Sequence, residues 1–211
     1  MPDTDTPPGR GSREVWLDAA FELLLESGVD SVKILPLAKR LKLSRTSFYW
    51  FFRDREMLLD ALILRWREKN TQNLIRQAEA YSESVVEAIL NVFDCWLDSE
   101  LFDSQLEFAV RSWALQSDEV AQEVDAADEA RIAALTQLFV RYGFASLTAI
   151  VRGRTIYLTQ IGYISMKAEE EIEIRMQRIP IYVEIFTGQT PQPHELRRFH
   201  ARHNYVPQET N

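Results

Sequence analysis

Cysteine is almost missing from the 211-residue sequence, which contains only Cys95. An intrachain disulfide is therefore excluded, and nothing in the cysteine usage argues for an oxidising compartment. No uncharged apolar run approaches the ~18 residues of a membrane-spanning helix, and no apolar segment of the signal-peptide type follows the N-terminus. We therefore expect a soluble, cytoplasmic protein.

The motifs of the common enzyme classes are also missing. The sequence has no P-loop, no GxSxG and no glycine-rich dinucleotide-binding fingerprint. His194 and Glu195 lack the second histidine of a zinc-protease motif, and His200 and His203 have no cysteine or carboxylate cluster to complete a metal site. We expect no enzymatic activity, no metal and no cofactor other than a small-molecule effector.

Glycine and proline are scarce, at 7 and 8 residues, whereas hydrophobic residues make up 46% of the chain. That content is ample for a packed core, and the apolar residues recur at helical spacing. The sequence therefore predicts an all-α protein. The predicted helices beyond the N-terminal region are 83–98, 101–116, 119–142, 146–167 and 169–187, preceded by one long helix from Asp54 toward Ala80.

Two short helices around a tight turn are predicted between Leu35 and Phe51. Leu37, Ala38 and Leu41 form one apolar face, and Ser44 stands at the N-cap position of the following helix. That helix begins with three polar residues and ends with four aromatic ones. A helix-turn-helix recognition helix needs this polarity, because its N-terminal residues contact base edges while its other end is held by the core.

Positive charge is concentrated in the same region. Between Ser31 and Arg55 seven basic residues oppose one acidic residue, a formal charge of +6 in a chain whose net charge is −8. A basic patch on an acidic protein confines attraction for DNA to one face. A basic run is often only a solvated helix face. Because this basic patch coincides with the helix-turn-helix, DNA binding is the better explanation.

The run LAKRLKLSRTSFYWFFRDREMLLDAL closely resembles the DNA-binding signature of the tetracycline-repressor (TetR) family. The resemblance covers about Val15 to Leu62. Its matching pieces are Leu37-Ala38, Leu43-Ser44, Phe48-Tyr49, Phe52, Arg55-Glu56 and Leu58-Leu59. It implies a three-helix DNA-binding head, a C-terminal helical domain for ligand binding and dimerisation, and pairing of the last two long helices with a second copy. Lys33 departs from the family pattern, because Ser or Thr usually caps the second helix there.

On this basis we divide the chain into four parts. Residues 1–11 form a disordered N-terminal arm, 12–56 the helix-turn-helix domain, 57–188 the effector-binding and dimerisation domain, and 189–211 a C-terminal tail. Arg10 and Arg13 could reach a minor groove as an arm, or the tail could touch nothing.

Residue roles on DNA follow from side-chain chemistry and from the resemblance. Arg45 suits guanine, because its guanidinium can donate to O6 and N7 together. The resemblance implies phosphate contacts for Tyr49 and for Arg55. The predicted DNA-binding residues are Lys33, Lys42, Ser44, Arg45, Thr46, Ser47, Tyr49, Trp50 and Arg55.

Two further surfaces are predicted in the C-terminal domain. The last two long helices carry a broad apolar surface, from which we expect a homodimer. The predicted interface is Ile150, Tyr157, Ile161, Ile164, Ile172, Met176, Ile179, Val183 and Phe186. The resemblance implies a pocket for an apolar or aromatic effector. Its predicted residues are Phe93, Trp96, Phe108, Arg111, Trp113, Phe139, Tyr142, Tyr157 and Gln160.

The resulting hypothesis is a DNA-binding repressor that binds a palindromic operator as a homodimer and is released by a small molecule. Two alternatives stay open at this point. One is a helical enzyme that carries a head-like domain, and the other is a protein-interaction module whose helix-turn-helix binds another protein. Repressor rather than activator is the default, because occlusion of a promoter needs only tight binding.

Overall fold

A computed structural model describes residues 11–207, and every regular element within them is helical. The all-α prediction is confirmed. The α-helices are α1 (Arg13–Ser27), α2 (Ile34–Leu41), α3 (Arg45–Phe48), α4 (Arg55–Trp66), α5 (Asn73–Glu79), α6 (Val85–Leu97), α7 (Ser104–Ala114), α8 (Asp118–Arg141), α9 (Ser146–Ser165), α10 (Ile172–Thr187) and α11 (Pro193–Arg202).

The chain forms two compact units. Unit 1 holds the chain up to Glu68 together with Gln105–Val124, and unit 2 holds Lys69–Ser104 together with the chain from Asp125 onward. Helices α1 to α4 of unit 1 form what we call the head. The predicted N-terminal arm, with Arg10, lies outside the described residues apart from Gly11.

Both ends of α1 follow from local sequence. The Ser12 hydroxyl accepts a hydrogen bond from the amide of Val15 at 3.2 Å, as expected of an N-cap. Gly28 closes the helix with φ +75°, and its amide donates to the carbonyl of Leu24 at 3.0 Å.

The core of the head is aromatic. Trp16 of α1 meets Phe48 of α3 edge to face, with ring centroids 5.3 Å apart, and Phe48 stacks on Phe52 at 5.5 Å. All three side chains are fully buried. Arg13 begins α1 and lies over the Phe52 ring, so its side chain packs on the head rather than extending as part of an arm.

The helix predicted from Asp54 toward Ala80 is confirmed as a continuous helical segment over residues 55–79, but it is not α-helical throughout. The chain is π-helical over Arg67–Gln72, between α4 and α5. The wider turn buries two consecutive polar residues. Asn70 exchanges hydrogen bonds with the backbone of Asp103, at 2.9 Å in both directions, and Thr71 accepts from Arg131 at 2.8 and 3.0 Å. These buried bonds offset the poorer π-helical geometry.

Unit 2 is built around α6, which is buried along almost its whole length and packs against α5, α10 and α11. Cys95 lies in this helix, and burial raises the pKa of its thiol to about 12. Helix α9 approaches α8 closely at Gly153, where a β-carbon would stand 3.0 Å from the backbone nitrogen of Thr136. That contact accounts for a glycine inside a helix.

The predicted dimer stripe turns mostly inward. On α10, Met176, Ile179, Val183 and Phe186 are buried within the chain, and on α9 the same is true of Tyr157 and Ile164. Ile161 is partly buried, and Ile150 and Ile172 are exposed. Most of the predicted interface is therefore wrong, because the near-heptad stripe of α10 is the face that packs on α6.

The segment after Gly188, treated as a tail in the sequence analysis, contains the helix α11. Gln192 and Glu195 form a capping box at its start. Asp94 of α6 forms a salt bridge with Arg202 at 3.0 Å and a hydrogen bond with His203 at 2.7 Å, so polar contacts attach α11 to α6. Within residues 11–207 no helix is both long and apolar enough to cross a bilayer.

Two adjacent aromatic residues test the core of the head. We expect Phe48→Ala to lower the free energy of unfolding by about 3–5 kcal/mol, because it empties a fully buried ring site. Tyr49→Ala should cost less than about 1 kcal/mol, because that ring is 51% exposed. Urea titration followed by tryptophan fluorescence measures both, and equal losses would contradict this packing.

Candidate nucleic-acid interface and effector recess

The turn between α2 and α3 has the geometry of a helix-turn-helix. Helix α2 ends at Leu41, and Lys42 adopts the left-handed conformation with φ +55° and ψ +36°. The amide of Leu43 returns to the carbonyl of Ala38 at 2.9 Å. Ser44 then caps α3 by accepting from the amide of Ser47 at 3.2 Å, which confirms the predicted cap. The left-handed residue reverses the chain within three positions.

The regular α3 is shorter than predicted. It ends at Phe48 instead of about Phe51, and the chain continues in tight turns, with Trp50 donating to Ser47 and Phe51 to Phe48. The polar residues Arg45 and Thr46 remain exposed, as do the rings of Tyr49 and Trp50, at 51% and 62%. The ring of Phe48 faces inward. The exposed polar and aromatic side chains of this segment are thus held by the buried aromatic core of the head.

Ser47 is a correction to the predicted interface. Its side chain is 2% exposed, and its hydroxyl donates to the carbonyl of Ser44 at 2.7 Å. A buried hydroxyl that is already bonded to the backbone closes the turn and cannot reach a base edge. The sequence pattern missed this because serine is common both at caps and at DNA contacts.

Four cations around the turn are available for an external ligand. Lys33, Lys39, Lys42 and Arg45 are exposed, and none makes a hydrogen bond or ion pair with another side chain of the described residues. Lys33 precedes α2 without supplying a side-chain cap, in keeping with its departure from the family pattern.

The other cations of the basic patch are occupied. Arg40 pairs with Glu22 at 2.9 Å and with Glu26 at 2.7 Å, which ties α2 to α1, and the hydrogen bond from Arg40 holds the pKa of Glu26 below its usual value. Arg53 pairs with Asp54 at 2.6 Å. The formal charge of +6 therefore overstates the charge that the patch offers to DNA.

Arg55 also departs from its predicted role. Its Nε donates to the carbonyl of Val32 at 2.6 Å and its Nη2 to that of Val29 at 2.9 Å. These bonds fasten the start of α4 to the segment that leads into α2. Arg55 is therefore a positioning residue for the helix-turn-helix, rather than the exposed phosphate clamp that the resemblance implied.

A recess in unit 2 is the candidate effector site. It is a narrow, partly open cavity of about 30 Å³. Three of the predicted ligand residues, Phe93, Trp96 and Gln160, line it. The sequence analysis did not assign the others to the pocket, and it placed Ile179 and Phe186 in the dimer interface. The remaining lining residues are Ile156, Thr159, Tyr163, Glu170, Arg175, Arg178, Ile179, Tyr182 and Phe186.

The other predicted ligand residues do not line this recess. Phe108, Arg111 and Trp113 belong to unit 1, where Arg111 pairs with Glu107 at 3.0 Å. Phe139 packs edge to face on Phe144 in the core.

Two tyrosines of the predicted pocket serve internal bonds. The hydroxyl of Tyr142 donates to the carbonyl of Ser82 at 2.8 Å. Tyr157 accepts from Arg131 at 2.9 Å and donates to Asp128 at 2.5 Å, within a buried network. Neither residue lines this recess.

Two polar pairs border the recess. Glu170 is hydrogen-bonded to Arg178, which neutralises both charges locally. The hydroxyls of Tyr163 and Tyr182 are 2.8 Å apart, and this hydrogen bond, with burial, raises the pKa of Tyr163. Tyr163 therefore presents a neutral hydroxyl at physiological pH.

The head and the helical body together define a class: all-α proteins with an N-terminal helix-turn-helix for DNA binding. Residues 17–62 match the family model for bacterial regulatory proteins of the tetR family. Residues 17–62 thus form a DNA-binding domain of the tetR type, which confirms the resemblance found in the sequence. For the head, this match supports DNA binding by a helix-turn-helix.

The curated relatives match the head alone. The chain is 42% identical over 62 residues to the tetracycline repressor protein class G of Vibrio anguillarum, covering 29% of this chain and 30% of that protein. It is 42% identical over 53 residues to the class D protein of Escherichia coli, covering 25% of this chain and 24% of that protein. The chain thus spans less than a third of the length of these relatives.

Solved structures share the fold over most of the chain. E. coli NemR in its reduced form superposes with a TM-score of 0.62 at 18% identity, covering 86% of this chain and 98% of that one. Salmonella enterica GusR gives a TM-score of 0.64 at 17% identity, covering 89% and 98%. At these identities the comparison shows only that the fold beyond the head is shared.

The positioning role of Arg55 can be measured without DNA. We expect Arg55→Ala to lower the free energy of unfolding by about 1–3 kcal/mol, because the carbonyls of Val29 and Val32 lose a charged donor. Lys39→Ala, an exposed cation of the same region, should change it by less than about 0.5 kcal/mol. Chemical denaturation compares the two variants, and a silent Arg55→Ala would refute the role.

Proposed function

We propose that this protein is a transcriptional repressor that binds a palindromic operator as a homodimer and releases it when a small-molecule effector binds. The observation that carries the proposal is the outward presentation of Arg45, Thr46 and Tyr49 from a buried aromatic core, beside lysines without internal partners. The family assignment of the head favours a DNA reader over a helical enzyme or a protein-interaction module.

Roles on DNA divide between base reading and phosphate contact. Arg45 is the first exposed residue of α3 and can donate two hydrogen bonds to guanine, while Thr46 beside it can contact a base edge or a thymine methyl group. Tyr49 and the lysines at positions 33, 39 and 42 supply phosphate contacts, which position the head without reading sequence. Trp50, exposed at 62%, packs on the sugar-phosphate backbone. Ser44 acts through its cap, by fixing where α3 begins.

The dimer forms through the outer faces of α9 and α10. Leu147, Val151 and Leu158 of α9 are 74%, 54% and 54% exposed, and Ile174, Ile181 and Ile185 of α10 are 41%, 61% and 65% exposed. On each helix these residues share one face, at spacings of four and seven. Large aliphatic side chains that recur along one exposed face on both helices support burial by a second copy.

A dimer fits the geometry of an operator. Two heads related by a two-fold axis read two inverted half-sites, whose centres lie about 34–36 Å apart, one turn of DNA, or at a multiple of that spacing. Repression requires only that this complex occupy a promoter. An effector in the recess releases DNA if it binds more tightly to the form whose heads are badly spaced, a difference typically worth about 1–3 kcal/mol.

The first test of this function is selection of duplexes from a random pool, followed by fluorescence anisotropy over a salt series. We expect a near-palindrome bound at nanomolar Kd, with affinity that falls steeply as salt rises. Arg45→Gln should relax specificity at one base position, at a cost of about 1–3 kcal/mol for the preferred base. No enriched sequence, with or without cell-extract metabolites, would contradict the proposal.

Charge variants separate direct phosphate contacts from indirect ones in the same assay. Lys42→Gln should weaken all sequences alike and reduce the salt slope by about 1. Arg55→Ala should weaken binding with the slope unchanged, because its guanidinium bonds to carbonyls. Arg197→Gln removes an exposed cation from α11 and serves as the control.

The oligomeric state tests the revised interface. We expect the double variant Leu158→Glu, Ile185→Glu to be a folded monomer that binds the operator at least tenfold more weakly, because burying carboxylates in an apolar interface is costly. Leu115→Glu changes an 88% exposed leucine in unit 1 and should leave the dimer intact. Sedimentation equilibrium with far-UV circular dichroism provides the measurement, and a dimeric double variant would refute this interface.

A further inference from the structure

A positive charge lies among aromatic rings in the recess of unit 2. Arg175 of α10 lines it together with Phe93 and Trp96 of α6 and with Tyr182 and Phe186 of α10. The rings of Phe93 and Phe186 stack with centroids 6.4 Å apart, and Tyr182 stacks on Phe186 at 5.8 Å. An arginine beside aromatic rings loses part of its hydration, and apolar surroundings do not compensate for that loss.

Arg175 has no internal counter-ion at bonding distance. Within residues 11–207 its guanidinium makes no hydrogen bond or ion pair, and the nearby Glu170 is bonded to Arg178. Burial lowers the pKa of Arg175, which is the cost of holding a partly dehydrated cation. An arginine stays charged at neutral pH even so, because its ordinary pKa is above ~12. A cation placed in this way is stabilised by an anion from outside the chain.

A second donor in the same wall is also unsatisfied. Trp96 is 6% exposed, and its Nε1 is buried without an acceptor among the described residues. Buried indole N–H groups normally find a partner, since leaving one unbonded costs about 1–3 kcal/mol. Gln160 adds an amide to the lining. Arg175 and Trp96 thus each carry a donor without an acceptor among the described residues.

We propose that the recess binds a small organic acid whose carboxylate pairs with Arg175 and whose aromatic or aliphatic body packs between Phe93, Trp96 and Phe186. This inference rests on the effector site of the proposed function and specifies the chemical class of the effector. A carboxylate accepts two hydrogen bonds from a guanidinium, and its further lone pairs suit the indole and amide donors. The cavity volume is about 30 Å³, below the range of small-molecule sites, so the body of the acid must part the aromatic walls as it enters.

Charge specificity can be tested with matched probes on the full-length protein. Isothermal titration calorimetry would compare 1-naphthoate with 1-naphthalenemethanol and 1-naphthylmethylamine, and octanoate with 1-octanol. In at least one set we expect the acid to bind about tenfold or more tightly than the neutral alcohol, and the amine to bind worst. Equal or tighter binding of the alcohols would overturn the carboxylate assignment while leaving an apolar ligand site in place.

Variants assign the effect to Arg175. In Arg175→Gln the acid should lose its advantage over the alcohol, while the alcohol binds as before. Arg175→Lys should keep part of it, because the charge remains and the two-pronged geometry is lost. Trp96→Phe should weaken the acid more than the alcohol. Arg197→Gln removes an exposed cation of the same unit as a control. An unchanged preference for the acid in Arg175→Gln would overturn the proposal.

The remaining outcomes separate this inference from the proposed function. If no probe of either set binds, the recess is not a ligand site and the inference fails, whereas operator binding by the head is measured independently. If the acid binds through Arg175 but leaves operator affinity unchanged within twofold, the anion site stands and release by this effector fails. A fall in operator affinity with naphthoate in the wild type, and none in Arg175→Gln, would support both.

Discussion

The helix-turn-helix depends on the burial of Phe48 between Trp16 and Phe52. These rings fix α3 against α1, so that Arg45 and Thr46 face outward. Ser44 and Ser47 complete the turn with hydrogen bonds inside the head, and Arg55 attaches α4 to the entry of α2. A side chain that contacts a base must be held in place by groups that do not contact DNA, and here these groups are the buried rings, the two serines and Arg55.

The head could be predicted because its signals are local. The N-caps at Ser12, Ser44 and Asp54 and the glycine after α1 each act within a few residues, so a linear pattern contains them. The inward roles of Ser47 and Arg55 depend on carbonyls and neighbours that only the folded chain brings close. The π-helical segment also depends on distant partners, because Asn70 and Thr71 form hydrogen bonds with residues far along the sequence. Residue type alone does not identify these partners.

For the dimer and ligand surfaces, residue spacing did not show which side of a helix is buried. Helix α10 is apolar on two sides, and spacing identifies both stripes without saying which one packs on α6. The more regular stripe, which includes Met176 and Val183, is the buried one, whereas Ile181 and Ile185 face outward. The predicted pocket left out Arg175, although this residue lines the recess. Arg175 reads in sequence as an ordinary surface charge, and only its neighbours Phe93 and Trp96 give it a possible role.

These two sides of α10 suggest how ligand binding reaches DNA. Arg175, Ile179 and Tyr182 line the recess, while Ile174, Ile181 and Ile185 belong to the proposed dimer face of the same helix. Pro180 lies among these residues and lacks the amide that would donate a hydrogen bond within the helix, and proline is a common site of helix bending. Under the proposed function, a carboxylate that draws Arg175 inward would displace residues of α10 that pack on the second copy. Helix α10 would then be the element through which effector binding and dimer geometry influence each other.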